Sequence, residues 1–243
     1  MALWAVVPVK GLATAKGRLA PLLTPAEREA LAAALLADVL AALRAAPAVA
    51  RVLVVSPDAA ALSLAEEWGA APLAELGATG PGDYPPGEEA GLNAALDYAA
   101  TVAAGGGASA LLTLPADLPL VTPADVAAVV ANPPPAPSVA LAPTVDGGTG
   151  ALLRQPPLAL PARFGPDSVR AHLQAAAARG VAARLVWRRG LGLDVDRPDD
   201  LARLAALPRP TRTRALVAAW RAADRWPADA TATPERCSTG SGS

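Results

Sequence analysis

The sequence predicts one α/β domain, a mostly parallel sheet with helices on both faces in three α/β/α layers, followed by a short tail. Short apolar runs of Val, Leu and Ala alternate with longer Ala/Leu stretches of helical spacing. A hydrophobic fraction of 53% over 243 residues supplies enough material to cover such a sheet. Two helical stretches open on Thr-Pro-Ala-Glu and Thr-Pro-Ala-Asp, which are helix-start signatures.

Taken in order, Leu3 to Val9 reads as a buried parallel strand. Thr24 then caps a helix running to about Arg44, with Pro25 at its first position and Glu27 completing a capping box. Arg51 to Val55 is a second buried strand, and Ser56-Pro57-Asp58 ends it and starts a helix to Trp68, stopped by Gly69. Gly77 to Gly87, rich in Gly and Pro, reads as a surface loop before a helix over Glu88 to Ala104. Ser109 to Leu114 is a third strong strand; Thr122 caps the helix that follows it. Val139 to Ala142 and Ala151 to Leu153 look like strands, Pro166 to Arg179 like a helix, and Val181 to Trp187 like the last core strand. A final helix follows Asp194-Val195-Asp196-Arg197-Pro198-Asp199-Asp200 and ends near Leu207. The domain is thus expected over 1–208, with 209–243 a tail holding one loosely attached amphipathic helix over Ala215 to Trp226 and ending in a linker-like Ser/Gly segment.

Composition narrows the chemistry. A net charge of −1 without a basic block argues against a nucleic-acid partner. The one cysteine, Cys237, excludes a disulfide framework or a cysteine-ligated metal within one chain. No uninterrupted apolar run reaches the roughly 18 residues of a membrane span, so a soluble, cytoplasmic monomer or homodimer acting on small molecules is expected. With His172 the only histidine, catalysis must lean on carboxylates, cations and backbone amides.

Five places can carry that chemistry. Lys10, Lys16 and Arg18 lie beside Gly11 and Gly17 in the loop after the first strand, a pattern suited to gripping the phosphates of a nucleoside triphosphate; the alternative is a solvated basic loop. The loop is neither a Walker loop nor a dinucleotide fingerprint. Asp117, held between Pro115 and Pro119 at the end of a buried strand, is placed to hold Mg2+ or simply to cap a turn. Asp194 and Asp196 project to the same side of an extended segment, which suits a hard cation, while Asp199 and Asp200 fit the first turn of the next helix. Asp146-Gly147-Gly148-Thr149-Gly150 and Phe164-Gly165-Pro166-Asp167-Ser168 offer hydroxyls and a helix start to a second anion, or are an ordinary turn and cap. His172, one turn beyond Ser168, is the kind of lone histidine that is more often structural. Asn93, in Gly91-Leu92-Asn93, is a candidate partner for a base or ribose, and Ser56 and Asp58 are candidate walls of a base pocket.

Together, Val7-Pro8-Val9-Lys10 with Ala15-Lys16 and Arg18-Leu19, Gly91-Leu92-Asn93, Leu114-Pro115-Ala116-Asp117-Leu118-Pro119, Gly148-Thr149, Phe164-Gly165-Pro166-Asp167-Ser168 and Gly192-Leu193-Asp194-Val195-Asp196 resemble the CofC/FbiD guanylyltransferases of deazaflavin coenzyme F-420 biosynthesis. The resemblance spans about residues 3 to 207. It implies a Rossmann-like three-layer α/β/α nucleotidyltransferase fold similar to the MobA-like group. The implied reaction joins GTP to phosphoenolpyruvate or 2-phospho-L-lactate and releases pyrophosphate. Lys10, Lys16, Arg18, Ser56, Asp58, Gly91 and Asn93 would serve GTP, and Asp117, Asp194 and Asp196 would hold one or two Mg2+ ions. Thr149, Gly165 and Ser168 would bind the acceptor, with Lys10, Lys16, Arg18 and Asp117 closest to catalysis. Gly150 departs from the family pattern, which commonly has Asn there. The composition is similar to that of high-GC actinobacterial chains, whose family members resemble phosphoenolpyruvate users. An Asp-x-Asp glycosyltransferase and a non-catalytic nucleotide sensor remain the competing readings; the cationic loop favours nucleotidyl transfer over the first.

Overall fold

The computed structural model describes residues 2–75 and 88–223. The Gly77 to Gly87 loop, Cys237 and the Ser/Gly end lie outside the described residues. The strands are β1 (Leu3–Pro8), β2 (Val49–Ser56), β3 (Ala71–Ala74), β4 (Ala110–Thr113), β5 (Ser138–Pro143), β6 (Thr149–Gln155) and β7 (Ala182–Leu185). The helices are α1 (Pro25–Arg44), α2 (Ala59–Glu67), α3 (Glu88–Gly105), α4 (Pro123–Val130), α5 (Ser168–Ala178), α6 (Pro198–Ala206) and α7 (Arg212–Ala222).

The strands form one sheet in the order β3-β2-β1-β4-β6-β5-β7, with β6 antiparallel to both neighbours and the other pairings parallel. Alternation along β1 shows how helices cover both faces. Leu3, Ala5 and Val7 pack with Leu36, Val39, Leu40 and Leu43 of α1 and with Val126 and Val129 of α4. Trp4 and Val6 pack with Leu96, Ala99, Ala100 and Ala103 of α3 and with Ala176 of α5. A third cluster lies outside α1, where Leu31 and Leu35 meet Leu201 and Leu204 of α6 and Val217 of α7. The fold is a Rossmann-like α/β/α sheet sandwich.

Local signals explain most boundaries. The capping box of α1 forms, with the Glu27 amide donating to Thr24 Oγ1 and the Thr24 amide donating to Glu27 Oε2. Thr122 and Asp125 do the same for α4. The fifth helix starts at Ser168 rather than Pro166, because Asp167 sits in the left-handed region at φ 51°. β7 is shorter than the apolar run over 181–187, and β3 was not foreseen. The last helix also differs from expectation. It is not loosely attached: Asp38 of α1 accepts from the Arg212 and Thr213 amides at 2.9 Å each and from Thr213 Oγ1 at 2.7 Å. Among the described residues no helix is long and apolar enough to cross a membrane.

Candidate active site

Loops from six strands meet at one edge of the sheet. The parallel strands β1, β2, β4, β5 and β7 end there, and antiparallel β6 begins there at Thr149. This is the edge at which open parallel sheets gather ligands.

The segment carrying Asp194 and Asp196 is stitched between two turns. Its Val195 amide donates to the Asp117 carbonyl at 3.1 Å, and Val145 donates to the Gly192 carbonyl at 3.1 Å. Asp200 of α6 accepts from the Asp196 and Arg197 amides at 3.1 and 2.8 Å, fixing the backbone that presents Asp196. Val195 is fully buried between the two half-buried carboxylates, as the alternation of an extended segment requires. Asp117, Asp194 and Asp196 can each offer one carboxylate oxygen such that all three lie within 4.8 Å of one another. An all-oxygen set of this kind suits a small hard dication.

Lys16 already places a cation in this cluster. Its Nζ donates to Asp117 Oδ2 at 3.0 Å and to Asp196 Oδ1 at 2.8 Å, and its side chain is only 9% exposed. Burial by itself would lower the ammonium's pKa, but Asp117 and Asp196 outweigh it and the net shift is upward. Burial would likewise raise Asp196, yet Lys16, followed by Arg18 and Arg197, holds it below the usual carboxylate range. Among the described residues, Asp194 has no such cationic partner. Burial, with Asp117 and Asp146 close by, pushes it up to about 6. Exposed Arg18 sits 3.6 Å from Asp196 at the rim.

The basic loop has a fixed shape. Asp58 caps α2 through the Ala60 amide and also accepts from the Leu12 amide at 2.7 Å, while Ser56 Oγ accepts from the Asp58 amide at 3.0 Å. Asp58 therefore braces the basic loop, with Ser56 behind it. Lys16 enters the 3-10 turn Gly17–Leu19 at φ 58°, which turns its side chain inward, whereas Lys10 lies exposed on the loop.

Across the edge, Thr149 Oγ1 lies 2.9 Å from Ser168 Oγ and 3.2 Å from His172 Nδ1, all three residues being buried. Gly165, at φ 138°, occupies a conformation that favours glycine and leads the chain into Ser168. The Asn93 side chain is engaged on the Phe164 backbone: its amide nitrogen donates to the Phe164 carbonyl at 2.9 Å and its oxygen accepts from the Phe164 amide at 2.7 Å. It clamps the Gly165 loop. Gly91 lies buried in the first turn of α3. Gly150 has a steric reason, since a Cβ there would meet the Leu191 carbonyl oxygen at 2.0 Å. Sequence reasoning missed Asp97, which accepts from the Ala162 amide at 2.8 Å and pairs with buried Arg154 at 3.3 Å. Its spacing four residues beyond Asn93 on one helix face was the available signal.

The chain matches the family model described as "Guanylyl transferase CofC like" over residues 3–217. It belongs to that family. A phosphoenolpyruvate guanylyltransferase of Rubrobacter xylanophilus is 47% identical over 207 residues, covering 85% of this chain and 95% of that protein. One from Sphaerobacter thermophilus is 41% identical over 202 residues, covering 83% and 91%. A solved structure from Desulfovibrio desulfuricans G20, assigned by name to the nucleotide-diphospho-sugar transferases, shares the fold. Its TM-score is 0.69 at 17% identity over 91% of this chain and 96% of that one. CofC-like membership makes this chain a nucleotidyltransferase of the guanylyl-transferring kind.

Proposed function

We propose that the chain transfers the guanylyl group of GTP to the phosphate of phosphoenolpyruvate. A phosphate oxygen of the acceptor forms a new bond to the α-phosphorus, and the bond from that phosphorus to the oxygen leading to the β-phosphate breaks, releasing pyrophosphate. The observation that carries this reading is the cluster of Asp117, Asp194 and Asp196, within 4.8 Å and beside the basic loop, in a chain whose relatives bear that enzyme's name. The acceptor phosphate is ionised near neutral pH and needs no general base, which fits carboxylates that, among the described residues, have no histidine beside them.

The three carboxylates fit Mg2+, which would neutralise phosphoryl oxygens of the triphosphate when bound. Lys10, Lys16 and Arg18 line the same edge and would stabilise the charge developing on pyrophosphate. Lys16 has to leave Asp117 and Asp196 to do so. Thr149, Gly165 and Ser168 are assigned to the acceptor's phosphate and carboxylate, and the clamped 162–165 backbone holds that subsite in place. The 2-phospho-L-lactate reaction would differ only in the acceptor, and the relatives' names favour phosphoenolpyruvate. We place the reaction in cytoplasmic deazaflavin coenzyme F-420 assembly. A coupled pyrophosphate assay with four nucleoside triphosphates against phosphoenolpyruvate, 2-phospho-L-lactate and 3-phosphoglycerate tests the reading. It predicts release with GTP and phosphoenolpyruvate in the presence of Mg2+; release with another nucleotide or acceptor in preference to these would sink it.

A further inference from the structure

We propose that His172 is a positioning residue of the acceptor subsite: its imidazole sets the direction of the Thr149–Ser168 hydroxyl pair so that one hydroxyl proton faces the bound anion. The proposal rests on Thr149 and Ser168 being acceptor ligands, as assigned above.

The direction follows from counting protons. His172 is fully buried, and its Nε2 lies 3.0 Å from the Arg163 amide, which can only donate. A neutral ring that accepts at Nε2 carries its own proton at Nδ1. Burial holds the ring neutral, pushing its pKa down to about 4, and the charges of Arg154 and Arg163 act in the same sense. A hydrogen bond with the Ser168 backbone opposes that shift, as a bond accepted from the ring does.

The Nδ1 proton lies between the Ser168 carbonyl and Thr149 Oγ1, the latter 3.2 Å from Nδ1, so Nδ1 cannot accept the Thr149 proton. Of the two senses open to the 2.9 Å Thr149–Ser168 bond, the one in which Thr149 donates leaves the Ser168 proton for the ligand. In the opposite tautomer Thr149 would donate to Nδ1 and Ser168 to Thr149, leaving no outward proton and only lone pairs toward an anion. The Arg163 amide thus selects the tautomer, and the tautomer selects the polarity of the subsite.

That amide is itself held in place. It is the middle one of three consecutive backbone N–H groups captured by different side chains: Ala162 by Asp97, Arg163 by His172 and Phe164 by Asn93. Phe164 also meets the imidazole edge-on, with ring centroids 5.1 Å apart and planes at 76°. A histidine that merely filled the core would need neither the captured amide nor the hydroxyl chain.

Two measurements test the proposal. Because the chain has one histidine, nitrogen-15 NMR of the full-length wild type reads its tautomer directly. A proton on Nδ1 with Nε2 bare is expected, and a proton on Nε2 overturns the proposal whatever any variant does. Kinetics with GTP and phosphoenolpyruvate then separate the roles. His172→Asn keeps an amide N–H near the place of Nδ1, whereas His172→Gln extends its amide toward the place of Nε2. The expected acceptor KM stays within about 3-fold for Asn and rises about tenfold for Gln, with the GTP KM unchanged in both. In a Ser168→Ala background His172→Gln should add nothing. A raised acceptor KM for Ser168→Ala alone, with no effect or an additive effect of His172→Gln, overturns the role of His172 and spares the subsite. An unchanged acceptor KM for Ser168→Ala overturns the subsite assignment and the proposal with it.

Discussion

Replacing Lys16 with Met should make the nucleotide-free protein bind a divalent cation more tightly. Lys16 Nζ makes two charge-assisted hydrogen bonds, at 2.8 and 3.0 Å, from a nearly buried position. Such bonds contribute about 1.5–3 kcal/mol each net, so the pair is worth about 3–6 kcal/mol. Water recovers part of this when the ammonium leaves, and about 2–3 kcal/mol is left opposing an entering cation. Removing that opposition corresponds to roughly 30- to 150-fold tighter binding. Titration with Mn2+ without nucleotide, followed by electron paramagnetic resonance or calorimetry, reads the difference. In EDTA the same variant should melt at a lower temperature than the wild type, since Asp117 and Asp196 lose the cation between them, and Mn2+ should restore it. Unchanged or weaker Mn2+ affinity would refute the claim that the ammonium and the metal compete for the same oxygens.

Three further outcomes follow from other parts of the molecule. Gly150→Ala should cost about 2–3 kcal/mol in thermal or urea denaturation, because a Cβ would sit 2.0 Å from the Leu191 carbonyl oxygen; wild-type stability would show that this approach relaxes freely. Asp38→Ala removes three hydrogen bonds to the start of α7 and should destabilise its docking by about 3 kcal/mol, read as rapid amide exchange and trypsin cleavage at Arg214 or Arg221; full protection would contradict the anchoring role. His172 has a folded pKa of about 4 against 6.5 unfolded, so its contribution is complete above pH 6.5 and is lost as pH falls from 6.5 toward 4. The loss amounts to about 3 kcal/mol, and His172→Asn should flatten the acid limb of the stability curve by that amount. An unaltered acid limb would mean the ring is not held neutral.

The parts of the fold written in local signals were legible. Thr24 and Thr122 with their acidic partners three residues on announced two helices at their observed starts, and the apolar runs around Val6, Val54 and Leu112 announced the central strands. What escaped notice depended on distant partners. The four-residue β3 contains Pro72 and sits at the sheet's edge, where alternation is too short to read. The docking of α7 hangs on Asp38, 175 residues from Thr213, and no periodicity marks such a pair. At the site, Asp117, Asp194 and Asp196 were all legible as carboxylates for a cation, and the structure brings oxygens of the three within 4.8 Å of one another. The residue types of Lys10, Lys16 and Arg18 told of a cationic loop but not that Lys16 turns inward onto those carboxylates, which its positive φ permits. Asn93 and Asp58 were recognised as polar residues near the site, but the backbone groups they hold are set by tertiary contacts.

The central claim is that these carboxylates and the basic loop cleave GTP at its α-phosphorus only when a phosphorylated acceptor is present. The most direct measurement is pyrophosphate release from GTP, phosphoenolpyruvate and Mg2+ by the wild type and by Asp196→Asn, with each protein's melting temperature recorded alongside. Acceptor-dependent release by the wild type, and a fall of about a hundredfold or more in the folded variant, is the predicted result. Release by the variant at the wild-type rate, or release by the wild type without an acceptor, would contradict the account.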